Sequence, residues 1–151
     1  ETLFNWLQAD IHGARCLDLF AGSGALGFEA ASRGAARVDL VERDRRAAGQ
    51  LKANAEVLDS ERLRVHTGDV LRFLARTPGE DYDIVFVDPP YASKLTAPVM
   101  ERLAQAGWLG PDARVYLEYA SAGGDPALPE GWEILRRKSA GEVGCLLVGR
   151  E

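Results

Sequence analysis

The chain has 151 residues, of which 46% are hydrophobic and 27% charged, and its formal net charge is −5. That length predicts a single domain, residues 1–151, able to bury a sizeable core. No window approaches the roughly 18 apolar residues of a membrane span, the start is not a signal peptide, and the negative balance argues against a general nucleic-acid coat protein.

"ETLFNWLQAD" (1–10) has an amphipathic helical pattern that begins at Glu1 with no helix start signal. The chain is therefore expected to begin inside an element and to lack upstream sequence. "ARCLDLF" (14–20) reads as a first strand and "GALGFEAASRG" (24–34) as a helix stopped by Gly34. Between them lies Gly22-x-Gly24-x-x-Gly27, where glycines let the backbone turn tightly and approach a ligand. A plain tight turn is the bland alternative. Asp18 stands four residues before Gly22 at the mouth of the same strand. An anion there would repel a pyrophosphate and attract an ammonium or sulfonium, so the expected ligand is cationic at one end.

"RVDLVE" (37–42) reads as a second strand ending in Glu42, 20 residues after Gly22. That is the distance expected of an acid that accepts ribose hydroxyls. The alternative is an exposed acid paired with Arg43 or Arg45. Asp44 reads as the N-cap of a helix over 45–58, whose Leu51, Ala55 and Leu58 share one face. "LRVHTG" (63–68) is the third strand and "VLRFLART" (70–77) a short helix. Asp69 between them could accept from an adenine amino group, cap the helix, or do both. Asp18, Glu42 and Asp69 thus end three successive strands. A ligand with a cationic tail, a ribose and an adenine satisfies all three, and S-adenosylmethionine has those parts.

"YDIVFVD" (82–88) is the fourth strand and runs into Asp88-Pro89-Pro90-Tyr91. A carboxylate ending a buried strand is costly unless paired, and two prolines stop both ladder and helix. Asp88 and the Pro89 carbonyl can accept the protons of a ring-conjugated amine and leave its lone pair facing a methyl donor, with the prolines fixing those oxygens. Tyr91 offers a stacking face worth roughly 1–3 kcal/mol for a base. A rigid turn with a capping Asp is the alternative. Guanine presents N1–H and the 2-amino group side by side, which an acceptor-only carboxylate suits. Asp at 88 therefore leans towards guanine, although it can serve adenine.

"APVMERLAQAGWL" (97–109) reads as a helix and "ARVYLEYA" (113–120) as a fifth strand. The linker 121–131 is too rich in Gly and Pro for a crossover helix. "WEILRRK" (132–138) and "EVGCLLVGR" (142–150) are joined by Ser139-Ala140-Gly141 and predict an antiparallel edge hairpin. Strands alternating with helices predict an α/β fold with a mostly parallel sheet and helices on both faces. Cys16 and Cys145 read as buried thiols in a reducing cytosol, hence a cytoplasmic protein. Two Cys and two His give no zinc cluster, and no metal is expected.

With these residues in place the chain resembles class I S-adenosylmethionine-dependent methyltransferases of the N-directed type. More narrowly it resembles the RsmD family, the bacterial 16S ribosomal RNA guanine-N2 methyltransferases. The likeness runs through "ETLFNWL", "CLDLFAGSGALGFEAASRGA", "VERD", "VFVDPPY", "GWL" and "KSAGEV". It implies a Rossmann-like, seven-stranded sheet with the last strand antiparallel. It implies cofactor contacts from Asp18, Phe20, Ala21, Gly22, Ser23, Gly24, Glu42, Arg43, Asp69, Val70 and Asp88. Catalysis would lie at Asp88, Pro89, Pro90 and Tyr91; Tyr91, Lys94 and Lys138 are the candidate RNA contacts, with solvated surface charge the plainer reading of the two lysines and of Arg136 and Arg137. The implied partner is 16S rRNA in an assembling small subunit, with ribosomal protein beside it, met by a monomer whose basic upstream segment is absent here. Arg136 and Arg137 are further basic candidates, and Arg33, Arg37, Arg43, Arg45 and Arg46 are placed near the cofactor rim, most of them as exposed helix-end charges. The rival readings are an adenine-N6 DNA methyltransferase, a nicotinamide-dependent oxidoreductase on the glycine loop, and a non-catalytic assembly factor.

Overall fold

The computed structural model describes residues 2–59, 61–90, 94–105 and 107–150. Tyr91, the expected stacking residue, lies outside them. The elements run α1 Thr2–Trp6, β1 Arg15–Leu19, α2 Ala25–Ser32, β2 Arg37–Glu42, α3 Arg45–Asp59, β3 Leu63–Thr67 and α4 Val70–Leu74. They continue with β4 Tyr82–Val87, α5 Thr96–Leu103, β5 Leu109–Ala120, β6 Trp132–Ala140 and β7 Val143–Arg150.

The strands form one sheet in the order β3-β2-β1-β4-β5-β7-β6. β1 to β5 are mutually parallel, and β7 inserts between β5 and β6 antiparallel to both. This is the seven-stranded, mostly parallel sheet that the resemblance implies. Ile84, Val85, Phe86 and Val87 of β4 are each 0% exposed, because a central parallel strand is covered on both faces and tolerates an unbroken apolar run. Leu17, Leu19, Val85 and Val87 pack towards α4 and α5, while Cys16, Ile84 and Phe86 pack towards α1, α2 and α3. Successive side chains on a strand point to opposite faces. Asp18 and Asp88 therefore share the α2 face with Phe86.

Several boundaries depart from the sequence reading. α1 ends at Trp6, and residues 7–11 continue as turns that bury Leu7 and Ile11. α4 stops at Leu74, with Arg76 N–H turning back onto the Phe73 carbonyl at 3.2 Å. Pro78 follows and disfavours a helical Thr77. α5 ends at Leu103, not at 109. Gly107 adopts φ +98, and the Trp108 carbonyl accepts from Tyr82 N–H at 2.9 Å, so this segment leads into β5. The hairpin turn is Gly141-Glu142, since Ala140 pairs directly with Val143. Gly141 has φ +61, the first central position that a two-residue hairpin gives to glycine. Cys16 is fully buried, and the apolar surroundings push its thiol up to about 12. Cys145 is only half-buried, so the expectation of two buried thiols holds for Cys16 alone.

Candidate active site

The strand order reverses between β1 and β4, and open α/β sheets hold ligands in the crevice outside the carboxyl ends of the strands at such a point. The loops that meet there carry the residues singled out above. After β1 the backbone bends sharply: Phe20 has φ +60, the one described non-glycine residue with positive φ. Such strain costs of order 1–3 kcal/mol and persists only where the surroundings enforce it. Ala21 N–H donates to the Val41 carbonyl at 2.9 Å, which ties the loop to β2. Gly24 has φ +85, and a Cβ there would come within 2.6 Å of Leu51.

Asp18 lies beneath this loop, 2% exposed, and accepts from Gly27 N–H at 3.0 Å. Burial pushes its carboxyl up to about 8. The Gly27 hydrogen bond works against that shift, and the negative charges of Asp88 and Glu42 add to it. A Cβ at Gly27 would stand 3.0 Å from Asp18 Oδ2 and 2.8 Å from Leu40. The third glycine of the motif thus lets α2 close onto the strand and its acid.

Glu42 ends β2 and clasps both flanking loops. Its Oε1 accepts from Gly22 N–H at 2.7 Å and its Oε2 from Asp44 N–H at 2.9 Å. These backbone donors replace the expected alternative of an ion pair with Arg43 or Arg45. Asp44 caps α3 through Ala47 N–H at 2.8 Å. Asp69 caps α4 through Arg72 N–H at 3.1 Å.

A cavity of about 380 Å³ opens between these loops, and Phe20, Gly22, Glu42, Arg43, Asp69, Val70, Asp88, Pro90 and Leu95 line it. Three of the four expected acids therefore share one cavity wall, with Arg43 the one cation among the described lining residues. Asp18 is the correction: it supports the floor and does not line the cavity. Ala21 and Gly24 are buried, Ser23 is exposed and Pro89 is half-buried, and none of these four is among the lining residues.

Asp88 is open at its tip, yet the packed strand ends around it and the charge of Glu118 push its carboxyl up to about 6. Glu118 escaped the sequence reading although its signal was the same as that of the others, an acid at the carboxyl end of a strand. It stands beside Asp88, since Leu117 is the register partner of Val87. Leu95 was also missed, and a lone Leu after a Lys carries no signal.

Lys94 is exposed, and Lys138 lines a second cavity together with Glu118. Arg137 pairs with Asp125 at 2.5 Å, and Arg136 is exposed. Arg43, Arg45 and Arg46 are exposed near the rim. Arg33 and Arg37 do not belong there. Arg37 opens β2 at the opposite end of the sheet, and Arg33 follows the carboxyl end of α2, where it pairs with Glu29 at 2.6 Å.

At that opposite end lies an unexpected buried acid, Asp39, 1% exposed. Tyr82 Oη donates to it at 2.6 Å and Arg64 Nε at 3.1 Å, while His66 Nε2 lies 3.3 Å away and Arg37 Nε 3.4 Å. Burial alone would raise its carboxyl. The hydrogen bonds from His66 and Tyr82 and the charges of Arg64 and Arg37 outweigh that and lower it.

The chain matches a family model described as Conserved hypothetical protein 95 over residues 1–149. It is 44% identical over 151 residues to Ribosomal RNA small subunit methyltransferase D of Escherichia coli strain K12, covering 100% of this chain and 76% of that protein. The protein of the same name from Haemophilus influenzae is 42% identical, covering 97% of this chain and 77% of its own. Among solved structures, the Escherichia coli protein yhhF superposes with a TM-score of 0.95 at 43% identity, covering 99% of this chain and 84% of that one. A conserved hypothetical protein of Streptococcus pyogenes gives 0.88 at 31% identity, over 99% and 94% of the two chains. TrmN of Thermus thermophilus gives 0.77 at 24% identity over 99% and 47%, a likeness of fold.

Proposed function

Because the chain belongs to the RsmD family, whose model is described as Conserved hypothetical protein 95, we propose that it is a ribosomal RNA methyltransferase of the small subunit. The finer reading is transfer of a methyl group from S-adenosylmethionine to the 2-amino nitrogen of a guanine in 16S rRNA, carried out in the cytoplasm. The observation that carries it is the switch-point cavity, in which the carboxylates of Glu42, Asp69 and Asp88 share one wall.

The residues present fit the methyl donor. A volume of about 380 Å³ falls within the roughly 300–1,000 Å³ of small-molecule pockets. A wall with three acids and one arginine suits a cationic ligand and disfavours the pyrophosphate of a dinucleotide. Glu42 uses one lone pair of each oxygen on Gly22 and Asp44, and an ionised carboxylate has about four acceptor sites, so it can still accept ribose hydroxyls. Asp69 caps α4 with one oxygen and can accept from an adenine amino group with the other. When bound, S-adenosylmethionine supplies a methyl group on a positively charged sulfur.

Asp88 then has two tasks. Its carboxylate accepts the N–H protons of the guanine amine, which turns the nitrogen lone pair towards the cofactor end of the cavity. It also stabilises the positive charge that grows on that nitrogen as the new bond forms. Pro89 and Pro90 hold these oxygens in place, so little reorganisation is needed at reaction. Tyr91 stacks on the flipped base, and unstacking that base costs a few kcal/mol. Asp88 orients the amine more than it abstracts a proton, because the amine is hardly acidic before methylation begins; the proton that the methylated nitrogen then gives up passes to the Asp88 carboxylate and on to solvent.

The deciding experiment incubates full-length protein and tritium-labelled S-adenosylmethionine with small subunits from a strain that lacks this protein. The label is then mapped by mass spectrometry. We expect one labelled guanine carrying N2-methyl in 16S rRNA. Label on an adenine, or on DNA in a parallel reaction, would replace the guanine reading. No transfer to either would remove the activity.

A further inference from the structure

A second cavity, of about 440 Å³, lies on the α2 face of the sheet. Trp6 of α1 and Leu26 of α2 form its apolar wall, and Tyr116, Glu118, Lys138 and Cys145 contribute its polar side. Glu118 and Lys138 are both register partners of Cys145 on the central strand β7, so the three side chains stand in one row on one face. Asp88 follows directly after β4, one residue past Val87, whose register partner Leu117 immediately precedes Glu118.

We propose that this second cavity receives the acceptor guanine nucleotide, with Glu118 accepting its N1–H while Asp88 accepts the adjacent 2-amino group. The proposal rests on the methyltransferase reading above and deepens it, by giving the substrate base a place and a second recognition group.

Four observations support it. Glu118 Oε2 accepts from Tyr116 Oη at 2.8 Å, and Glu118 has no other hydrogen-bond partner among the described residues. The carboxylate is therefore held at one oxygen and open at the other. Neighbouring strands run about 4.8 Å apart, which places two carboxylates side by side for two adjacent donors. Burial first, and the like charge of Glu118 second, raise the carboxyl of Asp88, and donors from a base relieve both. Finally, the half-buried Trp6 lines the same cavity and offers an entering base an apolar surface in addition to Tyr91.

The test uses full-length protein with Glu118→Gln, and Leu26→Trp to fill the cavity from α2 without altering the acid. Two ligands separate the donors: guanosine monophosphate and 2-aminopurine riboside monophosphate, which keeps the amine but lacks N1–H. Trp6 emission reports binding with no methyl transfer required, and Trp6→Phe serves as the blank, since Trp108 and Trp132 are buried. Wild type should prefer the guanosine ligand by about ten- to a hundredfold, the effect of one charge-assisted hydrogen bond. Glu118→Gln keeps an acceptor oxygen but loses its charge, so it should lose most of that preference and raise KM for the small subunit by a similar factor, with S-adenosylmethionine affinity and melting temperature unchanged. Leu26→Trp should raise KM in the same way. An unchanged ligand preference and KM in Glu118→Gln, or no guanosine effect on Trp6 in wild type, would overturn the proposal. Wild type that binds guanosine through Glu118 but transfers no methyl would instead overturn the activity and leave the base site standing.

Discussion

Two aspartates on one face of the sheet have opposite tasks. Asp88 reaches the crevice, and its carboxyl is pushed up to about 6. Below that pH it is protonated and can no longer accept two N–H groups, so kcat for the small-subunit reaction should fall as pH drops through about 6. A rate that stays flat from pH 8 to pH 5 would contradict this. Asp88→Ala should abolish turnover while S-adenosylmethionine binding, measured by calorimetry, survives through Glu42 and Asp69. Asp18 lies below the crevice and is pushed up to about 8 by burial. The unfolded value is about 3.9, so the folded chain holds this proton more tightly. Stability from that proton is full below about pH 4 and is lost as pH rises towards 8. Asp18→Asn keeps an acceptor for Gly27 N–H and carries no titratable proton. Its melting temperature relative to wild type should therefore climb between pH 5 and pH 8. A constant difference across that range would mean that Asp18 is ionised throughout.

The elements show which parts of the chain could be read from residue pattern. β2 was legible to the residue because Arg37 and Glu42 bracket Val38, Leu40 and Val41, and the acids at the carboxyl ends of β1 to β4 could be counted off as a set. The short ends were not. α5 reads as helical through Leu109 because Ala, Gln and Leu all favour helix, yet Gly107 turns left-handed and Trp108 pairs with Tyr82. Tertiary pairing overrode propensity there. Asp39 was missed for the same reason: an acid within an apolar strand is explained only once Arg64, His66 and Tyr82 arrive from other strands. Asp18 was legible as an important acid but not as a buried one, because its depth depends on α2 closing over it. That closure rests on Gly27. Gly27→Ala would press a methyl against Leu40 and Asp18 Oδ2, and overpacking of this kind costs about 1–3 kcal/mol. Denaturant unfolding should show that loss, together with weaker cofactor binding as the glycine loop shifts.

At the scale of the whole molecule, the sheet is anchored at both ends by carboxylates used in different ways. The rim holds acids that face a ligand. The far end holds Asp39, whose partners come from β2, β3 and β4. Removing one member of a buried ionic cluster strands the others, at a cost of about 3–5 kcal/mol. Asp39→Ala should lower unfolding free energy by that amount. KM for the small subunit should stay unchanged below the transition, because among the described residues no rim acid shares a hydrogen bond or ion pair with the cluster. A loss under 1 kcal/mol would show that solvent replaces the carboxylate readily.

The strand order also sets a timetable for biosynthesis. β7 leaves the ribosome after β6 but occupies the slot between β5 and β6. Until Val143–Arg150 emerges, the nascent chain carries two unsatisfied edges, and Lys138 has no row to join. The half of the sheet that holds Glu42 and Asp69 can assemble early, while the half that holds Glu118 must wait for β7 to be threaded in. A messenger truncated before Val143 would yield a polypeptide with its glycine loop in place and its acceptor side unfinished, a natural client for chaperones.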